Sequence, residues 1–337
     1  MKDPKKAPRA ARGSDRNNGG MDMQIDDRII NEQERISFLL RSLYSEHGYE
    51  RYRMSKFEEY DLYSRNRDFL FSEGVITFTD TTGKLMALKP DVTLSIVKNR
   101  KDMPGTLQKL YYHENVYRVS EAADGFREQT QVGLECMGEV DDDCVAEVLH
   151  LAAESLRLCS PRFVLEISHL GILNAFVDAI APGEEAKRAI LECVGQKNAH
   201  GIERLCRESR VTEGAEQGLI RLLGLYGTPR TVMPKIRELA EEFGAGEMAG
   251  RLGRAAAGFT GSEMEENIMI DFSATGDLRY YNGIVFRGFI SGIPGNVLSG
   301  GQYDRLMRKM GRRDRAIGFA VFLDRLERLT EEGTTGA

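Results

Sequence analysis

Tryptophan is missing from the 337-residue sequence, proline occurs only nine times, and no apolar run approaches the ~18 residues that a membrane span requires. The opening residues also lack the apolar core of a secretory leader, so a soluble, cytoplasmic protein is expected. Five cysteines (Cys136, Cys144, Cys159, Cys193 and Cys206) include no Cys-x-x-Cys pair and no close Cys/His cluster. A zinc ribbon or finger needs neighbouring ligands to reach one ion, so no metal is expected and the thiols are read as reduced and buried. There is no Gly-x-x-x-x-Gly-Lys-Ser/Thr loop, no His-Glu-x-x-His helix and no Gly-x-Ser-x-Gly elbow. A loose dinucleotide pattern at Gly244-Ala-Gly246-Glu-Met-Ala249 follows helical rather than strand-like sequence, so it offers a pyrophosphate no helix N-terminus at a sheet edge.

What the sequence does hold is interspersed charge, 29% of residues, among 41% apolar ones. That is the composition of a globular chain, and the length allows two or three domains. Residues 1–20 carry six basic and two acidic side chains and almost nothing apolar, so a disordered basic tail is expected over residues 1–25. Taking the tail's +4 from the chain's −6 leaves −10 for the remainder, a poor surface for tracking a phosphate backbone. Helical spacing is read over Asp26–Tyr49, Asp91–Asn99 and Asp142–Cys159. Strands are read around Val75–Thr79, Leu85–Leu88, Lys109–Val119, Thr130–Val140, Phe163–Ile167, Ile268–Phe272 and Tyr280–Ile290. Helices and strands do not alternate, which points to an α+β fold with a mainly antiparallel sheet. Residues 171–258 read as a helical insertion interrupting a sheet domain that spans 26–170 and 259–330.

The unusual polar residues sit inside strand-like sequence. With a period of two, Gln129, Gln131, Gly133 and Glu135 share one face and Thr130, Val132 and Leu134 the other. That polar face is either the wet side of a half-buried sheet or a ligand surface, on which Gly133 would open space for an approaching molecule.

Four segments, in order and spacing, resemble the catalytic domain of histidyl-tRNA synthetase, a class II aminoacyl-tRNA synthetase. Leu88-Lys-Pro-Asp-Val-Thr93 is similar to that family's Leu-Arg-Pro-Glu-Gly-Thr. Tyr117-Arg118 with Phe126-Arg127-Glu128 and Gln131-Val-Gly-Leu-Glu135 resemble the second class II motif. Leu278-Arg-Tyr-Tyr-Asn-Gly-Ile-Val-Phe286 looks like the histidine-recognition segment. Gly300-Gly-Gln-Tyr-Asp304 and Ile317-Gly-Phe-Ala-Val-Phe-Leu-Asp-Arg-Leu326 resemble the glycine turn and third motif. The resemblance covers roughly Asp26–Leu329 and implies a class II synthetase-like, mainly antiparallel sheet flanked by helices.

The departures bear on activity. In a gapless reading the family's catalytic arginine falls on Gly276, with Arg279 on the opposite strand face. A second phosphate-binding arginine falls on Gly125, a third-motif glycine is Phe322, and the first-motif proline is Ser55. One preorganised donor supplies roughly 2.7–4 kcal/mol of transition-state stabilisation, so amino-acid adenylation should be crippled. The sequence ends within a dozen residues of Arg325, where a synthetase would begin its anticodon-binding domain, so tRNA is not an expected partner.

This combination resembles the synthetase-like regulatory subunit of ATP phosphoribosyltransferase, which Ile167-Ser-His-Leu-Gly171 also resembles. The resemblance implies no catalytic residue and no cofactor in this chain. It implies a short-form catalytic subunit as partner in the first step of histidine biosynthesis, self-association as a dimer within a hetero-oligomer, and L-histidine as feedback effector. Carried over by motif, the histidine site comprises Asp91, Thr93, Gln131, Glu135, Tyr280 and Tyr281, with Arg127 for the carboxylate; Arg118 and Arg325 remain as phosphate-type arginines. The alternatives are a stand-alone synthetase paralogue that still activates an amino acid and an assembly scaffold with a vestigial pocket.

Overall fold

The computed structural model describes residues 30–70, 74–100, 105–120, 125–181, 183–208, 213–275 and 280–327. The expected disordered tail and the positions Gly276 and Arg279 lie outside the described residues.

Helix α1 (Glu32–Glu46) buries Ile36, Leu40 and Tyr44, four residues apart and therefore on one stripe. It ends before Gly48, whose φ of 79° is a left-handed value that glycine alone adopts cheaply. The stripe meets α4 (Asp142–Cys159), where the Tyr44 hydroxyl lies 2.9 Å from Ser155 Oγ. Asp141 starts α4 by accepting the Cys144 N–H at 2.8 Å, so the N-terminal end of this helix is set by local sequence.

The strands are β1 (Glu50–Arg51), β2 (Phe57–Glu59), β3 (Thr77–Thr79), β4 (Leu85–Leu88), β5 (Leu107–Ser120), β6 (Gly125–Gly138), β7 (Phe163–His169), β8 (Tyr226–Gly227), β9 (Ile268–Asp271), β10 (Ile284–Ile290), β11 (Leu298–Gln302) and β12 (Arg315–Phe322). Nine form one sheet in the order β1-β5-β6-β12-β11-β10-β7-β9-β8, while β2-β4-β3 make a small separate sheet. All pairs are antiparallel except β1–β5 and β7–β9. Besides α1, α4, α2 (Tyr60–Ser64), α3 (Thr93–Asn99) and α11 (Asp304–Lys309), the α-helices among the described residues fall between β7 and β9: α5 (Leu170–Ile180), α6 (Glu184–Gly195), α7 (Ala199–Glu208), α8 (Glu213–Leu223), α9 (Pro229–Glu242) and α10 (Gly246–Ala256). His169 of the Ile167–Gly171 segment starts α5, its Nδ1 accepting the Gly171 N–H at 3.1 Å; burial pushes its pKa down to about 4, keeping the ring neutral for that role. No helix among the described residues is long and apolar enough to cross a membrane.

The structure departs from the sequence pattern at two places. Gly300-Gly301, expected as a turn, lies inside β11. A Cβ at Gly300 would stand 2.5 Å from the Gly318 carbonyl and one at Gly301 2.8 Å from the Tyr281 ring, so these glycines admit neighbours and do not reverse the chain. Tyr280-Tyr281, expected within a strand, precede β10. Successive strand side chains diverge, whereas these two rings pack together at 4.9 Å in one buried cluster, which only irregular backbone allows.

Candidate functional site

Strand β6 decides the character of one sheet face. Val132 and Leu134 enter the core against α1 and α4, and Gln131 and Glu135 on the opposite side are also buried, at 4% and 2% exposure. The wet-surface reading of that polar face is therefore excluded at Gln131 and Glu135, while Gln129 is half-buried. Across from it, β12 places Gly318 opposite Glu135, Ala320 opposite Gly133 and Phe322 opposite Gln131; β11 continues with Gly301 and Ser299, and β10 with Arg287. Small side chains at the sheet's centre between larger flanking ones leave a trough. Its volume is about 870 Å³, within the usual range for small-molecule sites.

Asp91, Thr93, Tyr112, Tyr280, Tyr281 and Tyr303 line this cavity. Thr93 Oγ1 donates to Glu135 Oε1 and Tyr303 OH to Glu135 Oε2, each at 2.6 Å. Burial pushes the Glu135 carboxyl up to about 8, with the two hydroxyls opposing and the Asp91 charge adding to the effect. Asp91 is raised by burial too, although its Oδ1 accepts the Leu94 N–H at 2.8 Å and Arg118 stands near. Two carboxyls held out of water with spare lone pairs favour an occupant that brings cationic or N–H donors.

Eight of the nine site residues named from the sequence border the cavity; Arg127 does not. It shares the β6 face with Gln131 but lies exposed, beyond the cavity lining, where β5 and β6 run on past β12. Arg325 is engaged at the mouth, 4.7 Å over the Phe322 ring and donating through Nη1 to Asn296 O and to Asn296 Oδ1 (3.1 Å). The Phe322 ring itself lines the cavity. Gly133 makes room for protein rather than ligand, since a Cβ there would meet the Phe319 carbonyl and stand 2.5 Å from the Tyr112 hydroxyl.

Sequence reasoning missed Tyr112, Tyr303, Arg287 and a wall from α6 comprising Arg188, Leu191, Glu192 and Gly195. Tyr303 carried a signal, because it lies within the synthetase-like segment Gly300–Asp304. The α6 residues carried none, since a cation and an anion one turn apart read as a solvated pair.

Comparison with known proteins adds lineage to this geometry. The histidyl-tRNA synthetase family model matches residues 25–326. The ATP phosphoribosyltransferase regulatory subunit of Caldanaerobacter subterraneus is 31% identical over 293 residues, covering 85% of this chain and 75% of the relative. Among solved structures, an ATP phosphoribosyltransferase regulatory subunit/histidyl-tRNA synthetase from Bacillus halodurans aligns with TM-score 0.77 at 23% identity, covering 87% of this chain and 78% of that one. A chain of the ATP phosphoribosyl transferase (HisG:HisZ) complex from Thermotoga maritima aligns with TM-score 0.66 at 19% identity, covering 87% and 98%. The structural likenesses establish the class II synthetase-like fold, and the sequence relatives the lineage within it: the chain belongs to the ATP phosphoribosyltransferase regulatory subunit family.

Proposed function

We propose that this chain binds L-histidine in the cavity and serves a separate short-form ATP phosphoribosyltransferase catalytic subunit as its regulatory partner, in a cytoplasmic hetero-oligomer built on dimers of this chain. The observation that carries the ligand reading is Glu135, a buried carboxyl fixed by Thr93 and Tyr303 on the wall of an open cavity. Glu135 accepts an imidazole N–H, Asp91 and Gln131 take the α-ammonium, and Tyr280 and Tyr281 flank the ring. Arg118, which borders the cavity, takes the carboxylate role assigned from the sequence to Arg127. Histidine then shifts the complex towards a less active state by the difference in its affinity for the two states. In this reading 26–170 and 259–330 form one synthetase-like domain interrupted by the insertion 171–258, supported by the direct pairing of β7 with β9 on either side of it.

Adenylation is disfavoured because Phe322 takes cavity space and Arg325 is stacked on it. Histidine-dependent exchange of labelled pyrophosphate into ATP should therefore stay at background with the full chain, while calorimetry detects histidine binding. Turnover in that assay would make the protein an amino-acid-activating enzyme. Absence of binding by a folded sample would remove histidine as the ligand.

A further inference from the structure

Helix α6 has two working sides. Ile190 and Val194 are buried in the main core, while Arg188, Leu191, Glu192 and Gly195 line the cavity. Spacings of three and four residues put that second set on one stripe, with Arg188 and Glu192 one turn apart. One cation and one anion, both largely exposed, therefore border the cavity from an element that none of the synthetase-like motifs includes.

The end of α6 is fastened in an unusual way. Lys197 has φ 53° and is the only non-glycine residue with positive φ among the described residues. Its N–H donates to Val194 O at 3.0 Å and the Asn198 N–H to Cys193 O at 2.8 Å, the pattern of a helix closed by a left-handed residue, where glycine is the usual choice. The side chain explains the lysine: Nζ lies 2.8 Å from Asp271 Oδ2 and 5.1 Å over the Tyr226 ring. Asp271 ends β9 with its side chain only 3% exposed. Burial raises this carboxyl, but Lys197 and Ser273 outweigh it and hold the group below the usual carboxylate range. Four residues on, Thr275 reaches the cavity, and a Cβ at Gly195 would lie 3.3 Å from its Oγ1. Backbone strain is thus kept at a point where a side chain ties the insertion to the sheet.

We propose that α6 is a ligand-contacting wall, in which Arg188 and Glu192 engage the charged groups of the bound amino acid and the Lys197–Asp271 pair is the latch that positions them. The proposal rests on the histidine reading for its ligand, but the latch stands on its own geometry. It ties cavity occupancy to the helical insertion, a segment otherwise without a part in binding.

The test uses the full chain and L-histidine by calorimetry, with hydrogen exchange on the ligand-free protein. Arg188→Gln and Glu192→Gln should each weaken binding about tenfold, the loss typical of a charged hydrogen-bond partner. Lys197→Gly should weaken binding to a similar degree while the melting temperature holds, because relief of the left-handed backbone offsets the lost ion pair; Lys197→Arg should restore affinity. Without ligand, α6 amides in Lys197→Gly should exchange roughly tenfold faster while the sheet is unchanged, which also certifies folding. Wild-type affinity in Arg188→Gln and Glu192→Gln overturns the wall, and wild-type α6 exchange in Lys197→Gly overturns the latch. Failure of the wild-type chain to bind histidine overturns the ligand reading and the wall that depends on it, while the exchange comparison still decides the latch.

Discussion

Glu135→Gln should make the free chain more heat-stable at neutral pH while removing most of its affinity for L-histidine. The folded-state pKa of Glu135, about 8, lies above the ordinary glutamate value because the carboxyl is buried. A group raised in this way contributes its full stability below the unfolded pKa and loses it as pH climbs through the folded one, so wild type weakens between roughly pH 4.5 and 8. The amide never ionises and keeps an acceptor for Thr93 or Tyr303. Its advantage should be near zero at pH 4.5 and grow to the order of 1–3 kcal/mol at pH 8. Binding should fall about tenfold to a hundredfold, since the amide cannot ionise to give the carboxylate that a bound imidazole N–H would stabilise. Thermal melts at several pH values and calorimetry on the same samples check both halves. A variant that melts lower than wild type at pH 8, or binds histidine equally well, contradicts the assignment.

Gly318→Ala should be the more damaging substitution. Its Cβ would overlap Glu135 Oε2 and stand 2.5 Å from the Leu134 carbonyl, within the β6–β12 pairing at the centre of the sheet. The carboxyl could swing aside only by leaving Thr93 and Tyr303, and the carbonyl only by parting two strands. Overpacking of this kind costs about 1–3 kcal/mol, and displacement of Glu135 should abolish histidine binding at any ligand concentration that saturates wild type. Gly214→Ala is the matched control: the glycine is in α8 with nothing within 4 Å of a new Cβ, so about 0.5–1 kcal/mol of stabilisation and unchanged binding are expected. Denaturant melts of the two variants separate the local clash from a general effect of alanine.

How much of this was legible depended on whether the information was local. Helix α4 was read with its observed ends, because Asp141 and an unbroken apolar period specify them in adjacent residues. The two faces of β6 followed from alternation alone, but alternation could not say that the polar face is buried; that depends on β12 and β11 arriving beside it with glycine, alanine and serine. Strand β11 was hidden for the same reason, since Gly300-Gly301 signals a turn until the Phe286 and Tyr281 rings are known to lie against it. The site residues Asp91, Thr93, Gln131, Glu135, Tyr280 and Tyr281 came from motif resemblance, and the cavity gathers them. Arg127 separated from them because same-face parity on a 14-residue strand does not fix distance along it. The α6 wall was out of reach, because Arg188 and Glu192 border the cavity only through tertiary structure, more than 50 residues from any of the motif-derived site residues on either side.

The most direct measurement is a reconstituted phosphoribosyltransferase assay. A short-form ATP phosphoribosyltransferase catalytic subunit is assayed alone, with this chain, and with its Glu135→Gln variant, each across a series of L-histidine concentrations. The expected result is that the wild-type chain raises turnover and histidine then suppresses it, while the variant raises turnover equally and leaves it insensitive over the same range. Turnover indifferent to the chain, or equal inhibition by histidine with both forms, would contradict a regulatory subunit that senses histidine at Glu135.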